Sequence, residues 1–200
     1  MLTDSIANEI YNEVYMSATN RKSGKRHDAD FYPTPEYAVH ALLKAWRPPF
    51  TGGWLEPGCG DGAIIRAVSN YYANEQMPEW TAIDIRGDAL DFMQLPINAP
   101  EVNWIVPQDF LTWKTEDRFS VCLGNPPFSL AREFIEHAMT TADRVAMLLR
   151  LDYMGTQDRH EFIKSINPDL YILSKRPFPD SCEYAWFVMD GNGGRWFVVL

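Results

Sequence analysis

"WLEPGCGDGAIIRAV", residues 54–68, runs a short apolar stretch into a turn with three glycines and then into an amphipathic segment. Trp54–Glu56 reads as a strand ending at Gly58, Gly60 and Gly62. Ile64, Ile65, Val68 and Tyr72 then recur on one face of a helix read over Asp61–Asn74. Glycines at such a junction permit a tight turn and let a ligand come close to the backbone. The next apolar run, "TAIDI", closes on Asp84 with Ile85 beside it, about 20 residues past the turn. An acid there is placed to accept hydrogen bonds from ribose hydroxyls. The stretch therefore predicts a nucleoside-binding strand–helix–strand unit, with an ordinary tight turn and solvated acids as the plain alternative.

The flanking charges narrow the ligand. The third glycine of the dinucleotide fingerprint G-x-G-x-x-G would fall on Ala63, and Glu56 and Asp61 flank the turn. Carboxylates repel a pyrophosphate but suit a cation with an amino-acid end. S-adenosylmethionine, which carries a sulfonium and an ammonium, fits better than a nicotinamide dinucleotide. Asp109 in "PQDF" follows the third strand of the unit; it reads either as a solvated or capping loop acid or as an acceptor for an adenine amino group, with Phe110 packing on the ring.

Outward from this unit the pattern alternates. Strands are expected at 81–85, 102–106, 119–123, 144–149, 170–174 and 184–189, and helices at 88–93, 130–141 and 160–166. Upstream, Ile6, Ile10, Val14 and Ala18 keep helical spacing behind Asp4. Pro33 and Pro35 forbid helix before about residue 35, after which Tyr37, Ala41, Leu42 and Ala45 share a face. Alternation of short apolar strands with helices means an α/β fold with a mostly parallel sheet covered on both faces. The tail, with strands and no helix between them, predicts an antiparallel hairpin, followed by a last apolar run at 196–200. Trp186 and Phe187 are expected in the core.

Composition sets the outer limits. The chain has 200 residues, 46% apolar and 22% charged, which fits one globular domain of ordinary size. No apolar run approaches the roughly 18–20 residues of a membrane helix, and "MLTDSIANEI" lacks the features of a secretory signal. A cytoplasmic location is expected. Cys59, Cys122 and Cys182 have no CxxC or Cys/His spacing, and the four histidines are scattered, so neither a disulfide framework nor a metal site is expected. Cys59 and Cys122 read as small core residues. A net charge of −9 argues against broad attraction to phosphates while leaving room for a local basic patch. Arg21, Lys22, Lys25 and Arg26 form one such cluster, either a solvated loop or a phosphate-contacting segment.

The second informative stretch is "LGNPPF", residues 123–128, at the exit of the fourth strand. Two prolines cannot donate to a sheet ladder or extend a helix, so they hold a rigid, donor-free backbone there. An exocyclic amine on adenine or cytosine is planar and a poor nucleophile, because its lone pair is delocalised into the ring. Two fixed acceptors, the Asn125 side-chain oxygen and the Pro126 carbonyl, would grip its hydrogens and favour the pyramidal transition state, with Pro127 stiffening the pair. Phe128 offers a stacking face worth about 1–3 kcal/mol. No general base is needed, since the amine becomes acidic only after it accepts the methyl group.

Together these residues resemble class I S-adenosylmethionine-dependent amino-methyltransferases. "GNPPF" is similar to their Asn-Pro-Pro-aromatic motif, "LEPGCGDGA" to the cofactor motif and "DFYPTP" to the motif preceding it. Their order is that of gamma-type DNA N6-adenine methyltransferases, and "RPFPDSCEYAWFVMD" resembles the tail of small phage and prophage enzymes of that kind. The resemblance covers roughly residues 30–190. It implies a Rossmann-like sheet of seven strands with S-adenosylmethionine at the strand C-terminal ends. Tyr32, Thr34 and Pro35 would lie at its methionine end, and Glu56, Gly58, Gly60 and Asp61 along the turn. Asp84 would lie at the ribose, Asp109 and Phe110 at the adenine, and Asn125–Phe128 at the target amine, with Ile85 and Asn125 also among the cofactor contacts.

These features imply DNA as the partner, entering as a flipped base or a single strand. Lys175 and Arg176 are candidate phosphate contacts. Phe178 either sandwiches the base opposite Phe128 or seals the sheet edge. A single catalytic domain over 31–200, preceded by an N-terminal helix and basic loop, is expected, with no separate target-recognition domain expected, so specificity would need short insertions or a partner subunit. RNA adenine, cytosine N4 and a protein glutamine amide offer the same delocalised nitrogen and remain open as substrates. A non-catalytic cofactor-binding subunit is the rival from another class, and the intact Asn125–Phe128 motif speaks against it.

Overall fold

The structure, a computed structural model, describes residues 32–73, 75–92 and 95–199. The helix expected over 4–18 and the basic cluster at 21–26 lie outside the described residues. The elements in chain order are α1 (Glu36–Ala45), β1 (Trp54–Pro57), α2 (Ala63–Tyr71), β2 (Trp80–Ile83), β3 (Val102–Ile105) and β4 (Val121–Gly124). They continue with α3 (Ala131–Thr141), β5 (Val145–Arg150), α4 (Gln157–Ile166), β6 (Asp169–Leu173), β7 (Tyr184–Met189) and β8 (Trp196–Val199). Among the described residues no helix is long and apolar enough to cross a membrane.

All eight strands join one sheet in the order β3-β2-β1-β4-β5-β7-β6-β8. Only β7 runs against the rest, pairing antiparallel with β5 and β6. The expected antiparallel hairpin is thus β6–β7, but β7 is inserted between β5 and β6. The sheet has eight strands where seven were expected. The apolar run at 196–200 supplies the extra one, pairing parallel with β6 through Leu170↔Trp196 to Leu173↔Val199.

Strand periodicity sorts the core into two layers. Trp54, Val121, Leu123, Ala146, Leu148, Tyr184, Trp186 and Val188 face α1 and α2. Their immediate neighbours Leu55, Cys122, Val145, Met147, Leu149, Ala185, Phe187 and Met189 face α3 and α4. Helices on both faces bury both sides of each central strand, which is why β5 and β7 read as continuous apolar runs rather than alternating ones. Trp186 and Phe187 are both fully buried, on opposite faces. The Trp186 indole N–H donates to the Ala38 carbonyl at 2.9 Å, tying α1 to the sheet.

Several boundaries differ from expectation for local reasons. Helix α2 starts at Ala63 because Gly62 sits at φ +74°, outside helical space. The helix expected at 88–93 is one 3-10 turn, Ala89–Phe92, so the β2-to-β3 crossover contains no described α-helix. The strand expected at 119–123 begins at Val121, with Phe119 held only by a single bridge to Ala142. The strand order proceeds from β1 out to β3 on one side and from β4 outward on the other, so it reverses between the parallel neighbours β1 and β4, and the crevice of such a sheet opens at their carboxyl ends. Both informative stretches end there.

Candidate active site

At the β1 end, Gly58 and Gly60 adopt φ +67° and +57°, conformations that L side chains seldom take. The turn they make is stitched to the end of β2. The Cys59 N–H donates to the Ile83 carbonyl at 3.0 Å and the Gly60 N–H to Asp84 Oδ2 at 2.8 Å. Asp84 Oδ1 accepts from the Arg86 backbone N–H (2.8 Å) and from its Nε (3.2 Å). Asp84 is only 6% exposed, so it first shapes the turn. Oδ2, with its single bond to Gly60, keeps a second lone pair to offer, and Asp84 lines the cavity.

That cavity, about 340 Å³, is bounded by the glycine turn, the ends of β2 and β4, and the segment entering α1. It brings together Tyr32, Thr34, Glu56, Gly58, Gly60, Asp61, Asp84, Ile85, Asp109, Phe110 and Asn125 from the expected set. Pro33 lines it in place of Pro35, which is the N-cap position of α1. Arg86, Gln108, Ser129, Leu130 and Phe134 also line it and were not expected, because no spacing rule in the sequence points to them. Cys59 does double service as a buried residue and a lining one.

The acids differ in their duties. Asp61 Oδ1 caps the Ala63 N–H at 3.2 Å and its Oδ2 meets Arg66 at 3.4 Å. Asp109 Oδ1 accepts from the Leu111 N–H at 2.9 Å, an Asx turn that matches the capping reading, and the residue also lines the cavity. Phe110 is 2% exposed and packs on Phe134 and edge-on to His137, so its ring is chiefly core. Glu56 stands apart. It is 2% exposed and its Oε2 has no hydrogen-bond partner. Burial, then the Asp61 and Asp84 charges, push its carboxyl well above the ordinary carboxylate value, with the Ile65 N–H and Arg66 pulling the other way. Burial and the Glu56 and Asp84 charges likewise push the Cys59 thiol up, so it is no thiolate nucleophile.

At the β4 end, Gly124 sits in a close approach. A Cβ there would meet Pro57 Cδ and the Pro57 carbonyl, both at 3.3 Å, and Met147 Sδ at 3.4 Å. Asn125 follows, half-buried, with its Nδ2 donating to the Tyr32 carbonyl at 3.0 Å and to Thr34 Oγ1 at 3.1 Å. A backbone carbonyl only accepts, so the NH₂ must face it and the amide oxygen must face away. Pro127 lines the cavity, while Phe128 does not; its ring stacks on Tyr32 (5.8 Å, 24°) and tilts against Tyr184.

Of the expected substrate contacts, Phe178 is buried, while Arg176 and Lys175 are exposed with nearby partners. Phe178 is 4% exposed, wedged against Tyr32 (5.6 Å) and edge-on to Tyr184 (5.0 Å), so of its two readings the sealing one matches this packing and the base-sandwiching one does not. Arg176 makes two bonds to Glu183 Oε1, at 2.9 and 2.7 Å, and Lys175 lies over the Tyr37 ring at 4.8 Å. These partners come from residues close in space and unconnected by any motif. Arg21, Lys22, Lys25 and Arg26 lie outside the described residues.

Comparison with solved structures settles the architecture. A type I restriction-modification methyltransferase subunit from Streptococcus thermophilus superposes with a TM-score of 0.60 at 12% identity, covering 90% of this chain and 47% of that one. The 23S rRNA methyltransferase ErmE gives 0.56 at 13% identity, covering 79% and 68%. This is the class I methyltransferase fold.

In sequence, the type II methyltransferase M.TthHB8I of Thermus thermophilus is 32% identical over 100 residues, half of this chain and 21% of that protein. Ribosomal RNA small subunit methyltransferase C of Yersinia enterocolitica is 27% identical over 113 residues, 56% of this chain and 29% of that protein. The chain thus spans less than a third of the length of these curated relatives. No protein-family profile matches it. The cofactor of the class I methyltransferase fold is S-adenosylmethionine, and the cavity has room for a ligand close to the backbone at its left-handed glycines, with one oxygen of the buried Glu56 left without a hydrogen-bond partner. Among the described residues no group of three potential metal ligands clusters.

Proposed function

We propose that the chain is an S-adenosylmethionine-dependent methyltransferase acting on the exocyclic N6 of adenine in DNA. One observation carries this reading. The Asn125 NH₂ is tied to Tyr32 and Thr34, leaving its oxygen as the group offered beside the cofactor cavity. The Pro126 carbonyl accepts no hydrogen bond from any described residue either. Two idle acceptors on a proline-stiffened strand exit suit an NH₂ donor. Groups fixed in advance where charge develops are each worth about 10²–10³ in rate.

The remaining roles follow from position. The cofactor supplies an electrophilic methyl on a sulfonium. Glu56 answers its positive charge, Asp84 its ribose hydroxyls and Asp109 its adenine amine. Asn125 and Pro126 hold the acceptor amine, whose surplus proton leaves to water once the methyl group is on nitrogen. The Cys59 thiol, kept protonated by its surroundings, takes no part. Phe128 contributes apolar surface at the acceptor side, partly shared with Tyr32.

DNA is favoured by the motif order and by the likeness to a type II methyltransferase and a restriction-modification subunit. The likeness to ribosomal RNA methyltransferases supports RNA as the second reading. Methyl-labelled cofactor incubated separately with DNA, RNA and protein, followed by nucleoside and peptide analysis, decides between them. Label in N6-methyladenine of DNA is expected. Label confined to RNA or to glutamine moves the substrate, and no transfer to any of the three rejects the catalytic reading.

A further inference from the structure

We infer that Thr34 is a positioning residue for the methyl transfer: its hydroxyl fixes which end of the Asn125 amide faces the acceptor. This rests on the proposed reaction and goes beyond it, because Thr34 was expected only as a contact to the cofactor. Asn125 lies at the exit of β4, and Thr34 comes from the segment entering α1, 91 residues earlier in the chain. The amide would be free to turn over about its terminal bond, and the two orientations present opposite chemistry. One offers an oxygen that accepts, the other an NH₂ that donates. Only the first can hold a nucleophilic amine through its hydrogens.

Two acceptors from one short segment select that orientation. The Tyr32 carbonyl lies 3.0 Å from Asn125 Nδ2 and Thr34 Oγ1 lies 3.1 Å away. Thr34 is 6% exposed, so water cannot readily take its place. The segment is itself held. Pro33 and Pro35 restrict its backbone, the Ala38 N–H donates to the Pro35 carbonyl at 3.0 Å, and Trp186 grips the Ala38 carbonyl from the sheet. Thr34 also lines the cofactor cavity, and its own O–H donates to no described group. A hydroxyl that accepts from the catalytic amide and still has its proton to give joins the cofactor side of the site to the acceptor side. A turned amide would also lose the substrate class, since an NH₂ facing the acceptor would favour a carbonyl over an amine.

The test compares Thr34→Val and Thr34→Ser with the unaltered protein, measuring turnover at saturating cofactor and acceptor, cofactor affinity, and the side-chain amide resonances of Asn125 by NMR. Valine keeps the shape and removes the acceptor; serine keeps the acceptor. Turnover of Thr34→Val is expected to fall about 10–100-fold, the range in which small misplacements act. Thr34→Ser should stay within about threefold, and the Asn125 amide signals should shift or broaden in the valine variant alone. Unchanged turnover at saturation in Thr34→Val, with only cofactor affinity lost, overturns the inference and leaves Thr34 a cofactor contact. Equal loss in the valine and serine variants overturns it too. Failure of the unaltered protein to methylate any nucleic acid or protein would instead reject the reaction on which the inference rests, and the NMR comparison still reports on the amide.

Discussion

Replacing Glu56 with Gln removes the charge from a buried cavity-lining carboxyl with an unpartnered oxygen while keeping its shape. Its Oε2 is unpartnered in a side chain 2% exposed, so a cationic ligand gains a charge-assisted contact with almost no competition from water. Such a contact is worth about 1.5–3 kcal/mol, so Glu56→Gln should weaken cofactor binding about 10–150-fold. The pH dependence follows from the same burial. Glu56 holds its proton well above the ordinary value of 4.5, chiefly because it is desolvated and next because Asp61 and Asp84 are near. Binding a cation requires that proton to leave. Cofactor affinity should therefore rise with pH, by up to about tenfold per unit, until the raised value is passed, and then level off. The ligand-free protein behaves oppositely. Its folded state binds the proton more tightly than the unfolded chain, so this contribution to stability is full below about the ordinary value and is lost as pH rises through the raised one. Calorimetric titration in buffers of different ionisation enthalpy reads the proton directly. Below the raised value, proton release on cofactor binding is expected, absent in Glu56→Gln. PH-independent binding without proton release, or a glutamine variant of undiminished affinity, would refute the reasoning.

Two further substitutions probe the frame around the cavity. Gly124→Ala brings a methyl group to 3.3 Å from Pro57 backbone and ring atoms, which must give by a few tenths of an ångström to admit it. Denaturant titration should show a loss of about 1–3 kcal/mol, accompanied by reduced turnover. Asp84→Asn turns one of two accepting oxygens into a donor, which breaks either the Gly60 contact or the Arg86 contacts. It should weaken cofactor binding by about 1–3 kcal/mol in equilibrium dialysis and broaden the backbone amide signals of the glycine turn.

What the sequence made legible was periodic or local. Strand–helix alternation announced a covered parallel sheet, and alternate residues of β5 and β7 do divide between its two faces. The glycine turn and the Asn-Pro-Pro stretch each lie within a few residues, so their placement at the carboxyl ends of β1 and β4 was foreseeable from strand exits alone. Long-range partners were not. Nothing in "RWFVVL" says that Trp196–Val199 will pair parallel with β6 and lengthen the sheet. Phe178 looked equally suited to a base or to the core; its burial depends on Tyr32 and Tyr184, distant in the chain and without a shared period. Arg176 reads as a free cation until Glu183 returns across the β6–β7 connection to meet it. The orientation of the Asn125 amide is set by residues 93 and 91 positions away, beyond the reach of any local rule.

The central claim is that the Asn125 oxygen, held outward beside the cofactor cavity, activates a planar amine. Single-turnover methyl transfer from labelled cofactor, measured for the unaltered protein and for Asn125→Ala at saturating cofactor, tests it most directly. The account predicts a chemical step slower by about 10²–10³ with cofactor affinity nearly unchanged. A chemical step of unaltered rate in Asn125→Ala would contradict it.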